Sequence, residues 1–329
     1  MPGPYVVPVH GDLDLPAKVD VVVIGGGIIG CATALELADS GLTVAICEKG
    51  GIGHEQSSRN WGWVRITRRD PREVPLMAEA LRIWEGLAER TGRDLGYKRT
   101  GIAFACATDA DFEEHRNWLP NLDGYQCGSK MVSADEFAQH FPNSQLPVKG
   151  ALFTPEDGRA EPQKATSAIA EAARDRGVHI LTECAVRGIE TQAGAVSGVV
   201  TERGEIACDR VVLAGGACSS LFARNTGLRL PQLKVVNSLI RTKPLEGGPE
   251  AALWSEGFSI RKRQDGGYTV TDGFRNIVDI VPDSFRYMRD FLPALGAEWR
   301  ALKFRLGGRF YDEARFANSW RLDEASPFE

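Results

Sequence analysis

The sequence predicts an α/β fold in two domains, and three observations lead there. The chain has 329 residues, more than one ordinary core and enough for two. Near its start a β-branched apolar run, a glycine cluster, an alanine-rich stretch and a second apolar run follow one another without interruption. Further on, helix-like and strand-like stretches alternate up to a second glycine turn. The later part, residues 233–271, then reads as successive short strands.

Residues 19–24, VDVVVI, are short and almost wholly apolar, as a strand buried on both faces of a parallel sheet requires. Gly25-Gly26-Gly27-Ile28-Ile29-Gly30 follows at once. Residues 32–40 read as a helix that Gly41 closes, and residues 42–47 as a second strand ending at Glu48. Each part has a task in a Rossmann-like dinucleotide site. Gly25 permits the tight turn, Gly27 lets the backbone approach a pyrophosphate, and Gly30 lets helix and strand pack closely. The N–H groups of Ile28 and Ile29 open the helix, whose positive end favours the phosphates. Glu48 lies 18 residues beyond Gly30, where its carboxylate can accept from an adenosine ribose and would repel a 2′-phosphate. The motif alone does not separate FAD from NAD.

The next segment, GGIGHEQSSRNWGWVRITRR at residues 50–69, is rich in glycine, serine and arginine. Helices are expected at 75–90, 111–118, 133–140, 162–176, 282–295 and 296–304. At 133–140, Ser133 and Glu136 form a capping-box pattern. Strands are expected at 100–107, 150–153, 178–181, 188–201, 210–214, 233–242, 258–263 and 268–271. Asp265-Gly266-Gly267 turns the last pair into a hairpin. Residues 1–16 hold four prolines and no Lys or Arg, and read as a loose arm.

Composition excludes other classes. A hydrophobic share of 43% and a charged share of 25% fit a soluble globular chain. A net charge of −5 argues against nucleic-acid or anionic-membrane surfaces, and no apolar run is long enough for a membrane span. The seven cysteines show no C-x-x-C spacing, which fits a reducing, cytoplasmic setting; the five histidines show no metal-ligand spacing. His54 reads as a loop histidine.

An ordered set of stretches resembles the D-amino-acid oxidase superfamily of flavoproteins, in its amine-oxidising, sarcosine-oxidase-like branch. They are VDVVVIGGGIIGCATALELADSGLTVAICEKG, SSRNWGWVRITRR, TGIAFACATD, GVHILTECAVRGIE and CDRVVLAGGACSS. The resemblance implies FAD and a Rossmann-like FAD-binding domain into which an α+β substrate domain with a mostly antiparallel sheet is inserted. The expected boundaries are 17–95 and 150–228 for the flavin domain, 96–149 and 229–329 for the substrate domain. The implied chemistry is oxidation of the C–N bond of an amino acid or secondary amine, with O2 or another electron acceptor. The implied flavin contacts are Gly25, Gly27, Ile28, Ile29, Gly30, Glu48, Lys49, Ser57, Ser58, Arg59, Asn60, Trp61, Val186, Ala214, Gly215 and Gly216. Arg65 matches a family arginine near the flavin ring, and Arg68 one that binds a substrate carboxylate. Trp61 stands where sarcosine-type members have a histidine, and Cys218 where an aromatic residue is usual.

The resemblance also leads one to expect a closing strand, glycine loop and helix at the C-terminal end, which residues 318–329 do not supply. Weak FAD retention, a partner subunit or self-association are the matching expectations. A flavin-binding but inactive remnant and a flavin monooxygenase are the alternative readings; no second nucleotide motif supports the latter.

Overall fold

The computed structural model describes residues 4–272, 276–316 and 319–324. The chain forms two compact units. The first comprises residues 1–60, 162–236 and 276–329, the second residues 61–161 and 237–275.

In the first unit, strand β1 (Lys18–Ile24) runs into helix α1 (Ile28–Asp39) and strand β2 (Val44–Cys47). β1 lies between Gly204–Leu213 and β2, parallel to both, and β2 is followed by the parallel strand His179–Leu181. Pairing on both sides is why Val21, Val22 and Val23 are all buried, and why this strand is apolar throughout rather than alternating. Val186–Gln192 and Ala195–Thr201 extend the sheet beyond Gly204–Leu213 as an antiparallel meander. A three-stranded sheet joins Val235–Val236, Asn276–Asp279 and Leu302–Arg305. In the second unit, seven strands form a sheet in which one neighbouring pair is parallel, Ala252–Trp254 against Ile102–Cys106. A smaller antiparallel sheet carries Trp63–Val64, Gly158–Arg159 and Lys98–Arg99.

Local signals explain most elements. Helix Ala134–His140 opens on the Ser133/Glu136 capping box, and helix Asp109–Trp118 on a Thr108/Asp111 box. Helix Val74–Thr91 ends on Gly92 in the left-handed conformation.

Several expectations are corrected. Residues 296–304 are not one helix: the helix Met288–Glu298 ends, a short 3-10 turn follows, and Leu302–Arg305 is a strand paired with Asn276–Asp279. The unit boundaries also differ from those expected. Helix Val74–Thr91 buries Val74 and Leu81 against Ile102, Phe104 and Leu152, so it shares the core of the second unit. Residues from Asn276 onward return to the first unit instead of staying with the substrate domain. There Trp320 packs edge-on against Phe222, and its indole N–H donates to the Arg187 carbonyl at 2.8 Å.

The N-terminal segment is not a loose arm over its described residues. Val6 is buried, the Val7 N–H donates to the Gln163 carbonyl, and the Ser167 hydroxyl donates to the Val7 carbonyl. The Asp12 carboxylate accepts from the Ile180 N–H at 2.8 Å, and the Asp12 N–H donates to the Ile180 carbonyl at 2.7 Å. The segment thus satisfies the free edge of strand His179–Leu181, which the composition of residues 1–16 does not reveal. Asp12→Ala is expected to cost about 1–2 kcal/mol in urea unfolding, because it orphans the Ile180 N–H. An unchanged midpoint would show that the docked segment does not stabilise the edge.

Candidate functional site

The first unit holds a cleft of about 350 Å³ along the carboxyl ends of its parallel strands. Gly25 turns the chain out of β1 at φ +112°, and a Cβ there would stand 2.5 Å from the Ala214 carbonyl oxygen. A Cβ on Gly30 would lie 1.9 Å from the Gly25 carbonyl oxygen, so this glycine sets the approach of helix to strand. Gly27 is the N-cap of α1; its missing Cβ would meet nothing closer than the Ser57 hydroxyl at 3.2 Å. Glycine thus keeps this helix end clear of a side chain on the side from which a phosphate would approach. No acidic residue stands in the first turn of α1, so its positive end is not offset by its own side chains. Ser57 accepts one of the orphan donors there, the Ile28 N–H, at 2.9 Å.

Glu48 connects the parts. Its two carboxylate oxygens accept from the Gly26 N–H at 2.7 Å and the Gly50 N–H at 2.8 Å. Its own N–H donates to the Leu181 carbonyl, and its carbonyl accepts from the Cys184 N–H. A carboxylate has about four acceptor directions, so two remain for ribose hydroxyls.

Of the residues expected at the cofactor, Gly25, Gly27, Glu48, Lys49, Ser57, Val186, Ala214, Gly215 and Gly216 line this cleft together. Ile28, Ile29, Gly30, Ser58, Arg59 and Asn60 stand outside its lining. Ile29 is 69% exposed. Ser58 is buried, its carbonyl accepting from the Gln163 amide. Arg59 pairs with Glu55 at 3.4 Å, and Asn60 donates to the Ser57 carbonyl at 2.9 Å, bracing the turn that presents Ser57. Cys47, Glu55, Gln56, Ala185, Cys218 and Phe222 line the cleft but were not among the expected contacts. Phe222 follows the second glycine turn on helix Ser219–Asn225, and its apolar position there is the signal that marks it.

Trp61, Arg65 and Arg68 belong to the second unit. Trp61 meets Trp63 edge-on at 4.9 Å. The Arg65 guanidinium donates to the Thr67 carbonyl and lies 5.5 Å from the Phe104 ring centroid; burial pushes it down to about 10. Arg68 holds φ +56° and pairs with Glu114 on helix Asp109–Trp118. Asp157 organises the segment: it accepts from the Ile66 N–H at 2.7 Å and from the Thr67 N–H and hydroxyl. Burial raises this carboxyl to about 6, although those hydrogen bonds and the Arg65 charge pull it down. Burial drives His115, edge-on to Phe104, down to about 4, helped by the Arg68 charge. Among the described residues no group of His, Cys, Asp and Glu is arranged to hold a metal ion.

The profile of the DAO family, described as FAD dependent oxidoreductase, matches residues 20–309. The chain belongs to this family. The chain is 32% identical over 219 residues to the sarcosine oxidase subunit beta of Rhizobium meliloti, covering 64% of this chain and 53% of that one. It is 28% identical over 245 residues to the 4-methylaminobutanoate oxidase (formaldehyde-forming) of Paenarthrobacter nicotinovorans, covering 74% of this chain and 30% of that one. The chain therefore spans about a third to a half of the length of these relatives. Among solved structures, an L-amino acid deaminase from Proteus myxofaciens in complex with anthranilate superposes with a TM-score of 0.93 at 34% identity. That match covers 98% of this chain and 74% of that one. The cofactor of the family is FAD, and the residues of the cleft fit it: a glycine N-cap on a helix with no acidic first turn, and a carboxylate with two acceptor directions left.

Two outcomes are expected. Gly27→Ala, whose Cβ presses only on the Ser57 hydroxyl, should keep the fold yet lose FAD affinity, whereas Gly30→Ala, which meets backbone, should lose stability by about 1–3 kcal/mol through overpacking. Equal FAD binding by Gly27→Ala and the parent would contradict the assignment. For Asp157, a folded value above the ordinary 3.8 means that its contribution is present below pH ~4 and lost as pH rises through about 6. His115, shifted downward, acts with the opposite sign but is common to both proteins compared. The stability of Asp157→Asn relative to the parent should therefore rise by about 2–3 kcal/mol between pH 4 and 7 in urea melts. A pH-independent difference would contradict the buried-acid reading.

Proposed function

We propose that the chain oxidises the C–N bond of an amino acid or secondary amine, with O2 or another oxidant as final electron acceptor. The observation that carries this is the coincidence of the family match with a cleft whose glycine turn, helix end and Glu48 suit FAD. The names of the relatives point to amino acids and methylated amines as substrates. Bound flavin supplies the two-electron acceptor for the hydride that leaves the carbon next to nitrogen.

The protein holds the cofactor and orients the amine. Arg68 pairs with the substrate carboxylate by exchanging Glu114, whose side chain is 63% exposed and gives up its ion pair at small cost. The planar guanidinium suits the two oxygens of a carboxylate. Arg65, more deeply set over Phe104, keeps a positive charge in the same segment. Ile66 and Thr67 lie between the two arginines, and their tie to Asp157 fixes the backbone that carries both. The odd cysteine count and the lack of C-x-x-C spacing favour a reducing, cytoplasmic setting.

The test is anaerobic mixing of the flavin-loaded protein with an amine panel, followed by admission of O2. Bleaching of the flavin band by an amino acid or secondary amine is expected. Bleaching only by a reduced nicotinamide would contradict the proposal. Arg68→Ala should raise KM for a carboxylated amine about 10- to 100-fold, the loss of a charged hydrogen bond, and leave an uncarboxylated amine little affected. Equal losses on both would assign Arg68 a purely structural role.

A further inference from the structure

The apolar part of the cleft wall is formed by Ile24, Cys47, Val186, Leu213 and Phe222, which share one hydrophobic cluster of the first unit. The parallel sheet holds Ile24, Cys47 and Leu213 at the ends of its paired strands. Val186 and Phe222 are held less directly. Val186 opens Val186–Gln192, the outermost strand on that side of the sheet, and the ladder is irregular between Val186 and Gly188. Phe222 sits on Ser219–Asn225, a helix of seven residues, too short to be stable without tertiary contacts.

Residues 319–324 lie across both of these elements. Trp320 is 6% exposed, and its ring meets that of Phe222 edge-on at 6.4 Å. Its indole N–H donates to the Arg187 carbonyl at 2.8 Å, and its backbone N–H donates to the Asn225 side-chain oxygen at 2.8 Å. Two residues on, Leu322 covers Gly188, where a Cβ would stand 2.0 Å from a Leu322 methyl carbon. The segment thus touches the strand at 187 and 188 and the helix at 222 and 225. A buried tryptophan ordinarily fills a core and finds one partner for its N–H. Here one residue sends a directional bond to each of the two elements that carry Val186 and Phe222, while standing outside the cleft lining itself.

We propose that Trp320 is a positioning residue for the cofactor. It braces Phe222 against the strand that begins at Val186, and so sets the width of an apolar slot for the adenine base. The proposal rests on the FAD reading given above. Gly27 and the helix end suit the diphosphate and Glu48 suits the ribose, which leaves the apolar lining for the flat faces of the base. Dispersion contact with a ring face falls off within a fraction of an ångström, so a wall that drifts loses it. Phe222 is that wall, and Trp320 acts only through it.

The experiment compares the full chain with Trp320→Ala, Trp320→Phe and Val199→Ala. Val199 is buried in the same cluster but outside the cleft lining, and so serves as a control for lost stability alone. Affinities for FAD and for ADP, its adenosine half, are measured by titration, with folding checked by circular dichroism. Trp320→Ala should weaken both ligands about fivefold or more, and Trp320→Phe, which keeps a ring against Phe222, should recover part of the loss. Val199→Ala should bind both as the parent does. Parent-like binding by Trp320→Ala, or an equal loss in Val199→Ala, overturns the positioning role. Hydrogen exchange on the ligand-free chain tests the brace by itself. Residues 185–188 and 219–225 should exchange faster in Trp320→Ala than in the parent, while β1 and β2 stay protected. Unchanged exchange there overturns the brace. If the parent binds neither FAD nor ADP, the cofactor reading fails and the slot with it, while the exchange result still decides the brace.

Discussion

The arrangement of the cleft depends on one carboxylate. Glu48 is held from both ends of the glycine turn's neighbourhood, by the Gly26 N–H on one oxygen and the Gly50 N–H on the other. Without it those two donors would be unpaired beside the loop, and an unsatisfied buried donor costs about 1–3 kcal/mol. Its backbone meanwhile joins β2 to the strand and turn around Leu181 and Cys184. The residue proposed to bind the ribose therefore also braces the glycine loop proposed to receive the pyrophosphate. That double use follows from its place at the end of β2, where the parallel strands give out and backbone groups lose their ladder partners.

Asp157 has the corresponding role in the second unit, at higher cost. It is fully buried, satisfies three donors from Ile66 and Thr67, and keeps Arg65 and Arg68 on one short stretch of chain. A second buried network begins three residues on, at Ala160 and Glu161. Arg261 donates to the Ala160 carbonyl at 3.0 Å and to Glu161 at 2.9 Å, and its guanidinium occupies the space a Cβ on Gly62 would need. Such buried pairs add little net stability, but removing one partner leaves an uncompensated charge, so they hold a geometry more than they strengthen it.

How much of this was legible in the sequence depends on the range of the interaction. The βαβ unit, the Ser133 capping box and the Asp265–Gly267 hairpin are local, and each is visible in a window of a few residues. The cleft was legible where glycines and a strand-end carboxylate mark it: Gly25, Gly27, Glu48 and Gly215 all line it. Contacts across long sequence separations were not. Asp157 meets Thr67 across 90 residues, Arg261 meets Glu161 across 100, and the Asp12 contact with Ile180 spans 168. No periodicity encodes those pairings. For the same reason the return of residues beyond Asn276 to the first unit was missed, since the pairing of Leu302–Arg305 with Asn276–Asp279 is set by the sheet, not by the LKFR stretch itself.

The central claim is that Glu48 both shapes the cleft and recognises the adenosine end of FAD. Its most direct test is titration of the flavin-free chain with FAD and with FMN, which lacks the adenosine end, for the parent and Glu48→Gln. The account requires a stoichiometric FAD complex with the parent. It also requires a loss of about tenfold or more for the variant with FAD, ~1.4 kcal/mol, and a distinctly smaller loss with FMN, which feels only the loop. Equal FAD affinity in both proteins, or equal losses for FAD and FMN, would contradict it.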